Sequence, residues 1–382
     1  MTHRNIMFVF PGQGSQYVGM GKEFYDEFQE VRDIFDEAGD VLGYDLSDLC
    51  FKKHSFGKFM HRAADLNKTI FTQPAVMTVS YACYRVLERR CREEGIPLNP
   101  YLMAGHSLGE YTAILVSGAI DLRTALQLVQ KRATYMTESG KAYPNAGLMA
   151  IVDKDNDLDY DRVCSLCKDF GVYVTLNNTR NQIVVGGAKR RLQDLAKELK
   201  NEGKLARPLK VEGPFHTPIM KPAADKYRKE LNRHTIRIAT KPIMANVSAE
   251  AIVDPNHIRG ELYEQIYKIV NWRGSVEKAI DNGGDLFLEV GPKKVLTNMI
   301  RSIHAGIPGL NVEDMESLEA TVRALGQEFE KSSPARTEGP EKPRKPEKPP
   351  KFPESGGPEK PEEPEKPRKS RKAGKPEKSE AS

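Results

Sequence analysis

Apolar positions along the chain follow two alternating rhythms. Short apolar runs read as strands: IMFVFPG at 6–12 and YLMAGHS at 101–107. Longer stretches with apolar residues three and four apart read as helices: GKEFYDEFQEVRDIFDEAGDVLG at 21–43, TQPAVMTVSYACYRVLERR at 72–90 and LGEYTAILVSGA at 108–119. Beyond residue 240 the rhythm returns, with strands KPIMANV (241–247) and DLFLEVG (285–291) around a helix, WRGSVEKAIDNG (272–283). Strands that alternate with helices predict an α/β fold, a mostly parallel sheet covered by helices on both faces.

Between these stretches the pattern changes. GLMAIV is a strand, YDRVCSLCKDFG a helix, VYVTLNN and QIVVGG a strand pair, KRRLQDLAKELKNEG a helix and KLARPLKV a last strand. This β-α-β-β-α-β order is the ferredoxin-like split motif. It predicts a small subdomain at 146–210 inserted into a large one made of 1–145 and 211–332. The large one closes with a helix at 311–331, where Met315, Leu318, Val322 and Leu325 recur at helical spacing.

The last fifty residues break every rhythm. Pro-Glu-Lys recurs at Pro340, Pro346, Pro358, Pro364 and Pro376, and Phe352 is the one large apolar side chain of 333–382. Such a segment buries too little surface to offset its chain entropy, so a disordered tail is expected, as a spacer or as a tether for a partner. The tail also accounts for most of the net charge of +5: it holds 14 basic and 10 acidic residues, which leaves 44 basic against 43 acidic in 1–332. The balanced body gives no footprint for nucleic acid. No apolar run reaches the length of a bilayer span and the first residues lack the regions of a signal peptide, so the cytoplasm is the expected location. Five scattered cysteines fit reduced thiols; Cys164 and Cys167 form a C-x-x-C inside a helical pattern with no second ligand pair nearby, which argues against a zinc or redox site.

Candidate chemistry centres on AGHSLGEY (104–111). Ser107 stands in G-x-S-x-G between a strand and a helix, the arrangement of a nucleophile elbow, whose tight turn lifts a hydroxyl above the sheet and aims helix amides at developing charge. A tight turn with a capping serine would read the same way. A base is available in His216, which Pro214 and Pro218 bracket in GPFHTP, although a surface histidine in a plain connection fits too; adjacent His106 leaves the backbone in another direction. Arg132 falls within the apolar stripe Leu122, Ala125, Val129 and Met136, and an inward guanidinium needs an anion, of the protein or of a substrate. The glycine-rich FPGQGSQYVGMG lacks the Lys-Ser/Thr of a P-loop and the glycine spacing of a dinucleotide fingerprint, and is read as a loop bringing amides toward Ser107.

Taken in order, FPGQGSQ (10–16), TQPAVMTVS (72–80), GHSLGE (105–110), Lys131-Arg132, GPFH (213–216), MKPAADK (220–226) and FLEVGPKKVL (287–296) closely resemble the malonyl-CoA:acyl carrier protein transacylases, from about residue 5 to 305. The resemblance implies an α/β-hydrolase-like core carrying a ferredoxin-like subdomain. It implies Ser107 as the acylated nucleophile, His216 as its base, the amides of Gln13 and Leu108 as the oxyanion hole, and Arg132 as the clamp for the malonyl carboxylate. Phe215 resembles the residue of malonyl-selective members. Asn271 takes the place where a backbone carbonyl orients the histidine. In the subdomain, Arg180 stands where the family has proline in N-x-P-x-Q, which leaves the shape of that loop open.

The implied reaction is ping-pong: malonyl passes from malonyl-CoA to Ser107 and then to the pantetheine thiol of acyl carrier protein, in fatty acid or polyketide synthesis, with no metal or redox cofactor and with a monomeric enzyme. The rivals are an acyl-thioester hydrolase that passes the acyl group to water, and a non-catalytic scaffold working through its tail.

Overall fold

A computed structural model describes residues 4–52, 65–154 and 157–332. The tail expected at 333–382 lies outside the described residues, as do His3, His54 and His61. Ten strands occur among them: β1 (Ile6–Phe10), β2 (Leu102–Gly105), β3 (Ala146–Val152), β4 (Tyr173–Thr179), β5 (Gln182–Ala188), β6 (Leu205–Pro208), β7 (Ile243–Met244), β8 (Ala251–Ile252), β9 (Leu286–Val290) and β10 (Gly309–Val312). They form a six-stranded sheet in the order β10-β9-β1-β2-β7-β8 and a four-stranded sheet in the order β4-β5-β3-β6.

In the large sheet β10, β9, β1, β2 and β7 run parallel, and only β8 is antiparallel, on β7. Its central strands are buried along nearly their whole length, which is why they read as unbroken apolar runs rather than as alternating ones. Side chains leave β1 in opposite directions. Phe8 and Phe10 enter the main core with Val76 and Leu87 of the helix Thr69–Glu93, Ile114 of Gly109–Val116 and Val129 of Leu122–Ala142; Met7 and Val9 pack on Trp272, Val276, Leu296 and Ile300. The helices therefore cover both faces, as the α/β reading requires.

The four-stranded sheet is wholly antiparallel, and its order is that of a ferredoxin-like split motif. Its helices, Tyr160–Phe170 and Lys189–Asn201, close a separate small core of Met149, Ile151, Leu166, Val185 and Leu195. Strand β4 is stitched to the large part by backbone bonds from Val270 to Thr175 and from Asn177 to Val270, 2.9 Å each. The Arg180-Asn181 turn joins β4 to β5 as a two-residue hairpin. Arg180, in the place of the expected proline, donates to the Ile303 carbonyl at 3.0 Å and lies between Asp157 and Glu277.

Local departures have local causes. The helix read across 21–43 breaks at Phe28, which adopts extended angles and packs edge-on against Phe24, so two helices form, Lys22–Glu27 and Gln29–Leu42. The helix read from 311 begins at Met315; Asp314 and Ser317 cap its start, and Gly309–Val312 pairs with β9 as an edge strand. KPIMANV yields only a two-residue strand: Ala245 N–H bonds to the Glu250 carbonyl in the turn toward β8, and the Asn246 side chain turns to the elbow. Among the described residues no helix is long and apolar enough to cross a membrane. The C-x-x-C pair lies on Tyr160–Phe170, where burial pushes the Cys167 thiol up to about 12.

Candidate active site

Strand β2 runs straight into the elbow. Ser107 has φ of 51°, a left-handed conformation that a serine adopts only where surrounding structure enforces it. The two flanking glycines are required by close approach: a Cβ at Gly105 would lie 1.9 Å from the Gly109 carbonyl carbon, and one at Gly109 would lie 1.9 Å from the Phe10 carbonyl oxygen. The second contact brings the end of β1, and with it the loop that carries Gln13, against the elbow, and His106 N–H donates to the same Phe10 carbonyl at 3.1 Å. Asn246 secures the turn from below. Its Oδ1 accepts the Ser107 N–H and its Nδ2 donates to the Gly105 carbonyl, both at 2.7 Å.

His216 and Arg132 converge on the Ser107 hydroxyl. His216 Nε2 and Arg132 Nη2 each lie 2.9 Å from Ser107 Oγ. The other histidine nitrogen, Nδ1, lies 2.6 Å from the backbone carbonyl of Gln265. A carbonyl can only accept, so Nδ1 carries the hydrogen and Nε2 is left as the acceptor for the serine proton. The orienting carbonyl is thus that of Gln265 and not of Asn271. Asn271 instead caps the helix Trp272–Asp281: its Oδ1 accepts the Gly274 N–H at 3.3 Å and Asn177 Nδ2 at 3.0 Å. Its place just ahead of the helix commits it to capping, while Gln265, at the C-cap of Pro255–Glu264, has a carbonyl free to face the histidine.

Burial, reinforced by the Arg132 charge and opposed by the Gln265 carbonyl, pulls the His216 pKa down to about 3. The imidazole is therefore neutral at physiological pH and ready to accept a proton.

Arg132 is buried, yet among the described residues no carboxylate pairs with it. Its partners are neutral: Gln73 Oε1 and Gln265 Oε1 at 2.7 Å each, besides the serine oxygen, and the ring of Tyr111 beneath. Its Nε–H has no partner among the described residues. The anion expected of an inward arginine is not found among the described residues; there a positive charge is held, unanswered, beside the hydroxyl.

Other expected residues lie close by. Leu108 is the N-cap of the helix Gly109–Val116, and the amides of Gly109, Glu110 and Tyr111 that follow it bond back to the carbonyls of His106, Ser107 and Leu108. Gln13 is half-buried and its side chain donates to Thr69 Oγ1 at 3.2 Å. Phe215 is buried, its ring against Gly213. His106 does more than adjoin the serine: its Nε2 lies 2.9 Å from Asn178 Oδ1 of β4 and its ring packs edge-on against Trp272, tying the small sheet to the elbow. His234, His257 and His304 sit at half-buried or exposed positions on other elements.

Three residues of the site carried no assigned role in the sequence: Gln73, Glu110 and Gln265. Gln73 and Glu110 fall within the motifs TQPAVMTVS and GHSLGE, but an uncharged amide and a helical glutamate give no chemical signal until the fold sets them beside Arg132.

A serine on a nucleophile elbow, a neutral histidine and an unanswered arginine, on an α/β core with a ferredoxin-like insertion, define an acyltransferase. In agreement, residues 7–323 match the family described as acyl transferase domain. Malonyl CoA-acyl carrier protein transacylases from Bacillus subtilis (strain 168) and Escherichia coli (strain K12) are 37% and 38% identical, over 85% and 78% of this chain and 98% and 92% of theirs. The crystal structure of the transacylase from Clostridium perfringens superposes with a TM-score of 0.78 at 34% identity, covering 86% of this chain and 99% of that one. A malonyl-transacylase solved in complex with its type II polyketide synthase acyl carrier protein superposes at 0.75, also at 34% identity, covering 84% and 99%. The chain belongs to the malonyl CoA-acyl carrier protein transacylase family.

Proposed function

We propose that this enzyme moves malonyl from malonyl-CoA to the phosphopantetheine thiol of an acyl carrier protein, through a malonyl ester on Ser107. The observation that carries the reading is the placement of one hydroxyl within 2.9 Å of both a neutral imidazole and a buried guanidinium that no carboxylate of the described residues answers. Arg132 receives the free carboxylate of the malonyl group, which sets the thioester carbonyl over Ser107 Oγ. His216 Nε2 takes the serine proton as Oγ attacks the carbonyl carbon, and the amides of Gln13 and Leu108 hold the oxyanion. The C–S bond then breaks and the histidine returns its proton to the departing coenzyme A sulfur. In the second half the carrier thiol gives its proton to His216, attacks the ester, and Ser107 leaves with that proton.

These steps draw on side chains and backbone alone and ask for no metal or redox cofactor. Phe215, buried next to the base, fits a preference for malonyl over branched acyl groups. In this reading 1–145 and 211–332 carry the chemistry and 146–210 is the inserted small subdomain. The five free cysteines suit a reducing compartment, and we assign the enzyme to the cytoplasm, as a monomer serving fatty acid or polyketide synthesis.

Intact-mass measurement tests the reading. Incubation with malonyl-CoA should add one malonyl group to the protein, peptide mapping should place it on Ser107, and holo acyl carrier protein should remove it with malonyl appearing on the carrier. Release of free malonate at the same rate with and without carrier would make the enzyme a hydrolase instead.

A further inference from the structure

The environment of Arg132 contains an arrangement that the reaction steps leave unused. Gln265 contributes to the site twice. Its backbone carbonyl faces His216, whereas its side chain lies between Arg132 and a buried carboxyl, that of Glu110. The amide is oriented: Oε1 accepts from Arg132 Nη2 at 2.7 Å, while Nε2 donates to the Ser107 carbonyl at 2.8 Å and to Glu110 Oε2. The second oxygen of Glu110 accepts the Asn246 N–H at 3.0 Å. The Ser107 carbonyl can only accept and Glu110 Oε2 faces the same nitrogen, so Gln265 turns its NH2 toward these two and its oxygen toward the guanidinium.

A direct carboxylate contact would have satisfied Arg132 more simply. Glutamine instead solvates the cation without cancelling its charge, and Gln73 does the same on Nη1. The buried Glu110 is kept one amide away. Glu110 also accepts the Asn246 N–H, and the buried Glu261, whose charge acts on it, accepts the Val247 N–H at 2.8 Å.

We propose that Gln265 is a specificity-determining residue of the acyl site: its side chain holds Arg132 through a neutral oxygen, leaving the charge for the substrate carboxylate, and Glu110 is the positioning residue that fixes the orientation of that amide. The proposal rests on the malonyl-transfer reading above. It separates the two contributions of Gln265, since the carbonyl that serves His216 is independent of the side chain that serves Arg132.

The test compares kcat/KM for malonyl-CoA and acetyl-CoA, read as acylation of Ser107 by intact mass, with circular dichroism to verify folding. Gln265→Glu sets a carboxylate of nearly the same shape against the guanidinium. The malonyl-to-acetyl ratio should fall about tenfold or more, through a higher KM for malonyl-CoA, because the substrate carboxylate now competes with a resident one. Glu110→Gln, which offers one acceptor where two are needed, should lower the ratio in the same direction. Gln73→Glu makes the same exchange on Nη1, away from Glu110, and decides the matter of the neutral cradle if Gln265→Glu does not fold. Folded variants that accept malonyl with the parental ratio overturn the proposal, as does a loss that falls equally on both acyl donors. If the parent enzyme itself takes no malonyl on Ser107, the malonyl-transfer reading fails first.

Discussion

Arg132→Ala is the substitution that most directly probes how the site chooses its acyl group. In the free enzyme the guanidinium is buried, donates to two neutral glutamine oxygens and to Ser107 Oγ, and its Nε–H has no partner among the described residues. A malonyl carboxylate seated there gains two charge-assisted hydrogen bonds in a site screened from water, each worth about 1.5–3 kcal/mol. Their loss should therefore lower kcat/KM for malonyl-CoA by about 3–6 kcal/mol, roughly two to four orders of magnitude. Acetyl-CoA has no carboxylate to lose, and removal of a desolvated cation makes room for an uncharged acyl group, so acetyl transfer should hold or rise. The truncation leaves Gln73 Oε1 and Gln265 Oε1 without their donor, about 1–3 kcal/mol each, offset in part by relief of the buried charge and by entering water. Thermal unfolding should be recorded alongside. The assay offers equal malonyl-CoA and acetyl-CoA and reads the two acyl-enzyme masses before carrier is added. A folded variant that kept the parental ratio of the two would refute the clamp.

His216→Ala should abolish acylation of Ser107 by a factor of about 10²–10⁴, the range of a lost general base, measured as the rate of acyl-enzyme formation in single turnover. Because the rate needs neutral His216 and its pKa is pulled down to about 3, the acid limb of the pH profile should lie well below the ordinary imidazole range; in Arg132→Ala the second cause is removed and the limb of acetyl transfer should move upward, while burial still keeps it below about 6.5. Asn246→Ala strands the Ser107 amide and the Gly105 carbonyl inside the protein and should cost about 2–4 kcal/mol in chemical denaturation. Gly109→Ala drives a methyl into the Phe10 carbonyl and should destabilise by about 3 kcal/mol or abolish soluble expression, whereas Gly260→Ala, with open space around its Cβ, should be tolerated.

The amino-acid sequence by itself determined the layers of this protein and the residue types of its site. Buried parallel strands are apolar along their whole length and helices bury one stripe, so β1, β2, β9 and the split motif at 146–210 are written in local pattern. Ser107, His216 and Arg132 were legible because each departs from its surroundings: a serine between glycines, a histidine between prolines, an arginine on an apolar stripe. Short edge elements such as β8 and β10 left little trace, since a two- to four-residue strand is fixed by its neighbour in the sheet rather than by its own composition. The tertiary structure alone decided which carbonyl faces His216. Asn271 and Gln265 both have one, and the choice follows from the way the helix Pro255–Glu264 ends beside the histidine while Asn271 caps the next helix. It also decided that glutamines, not carboxylates, surround Arg132. Gln73 is 59 positions from it and Gln265 133, and an amide reveals no function until folding sets its oxygen against a buried charge.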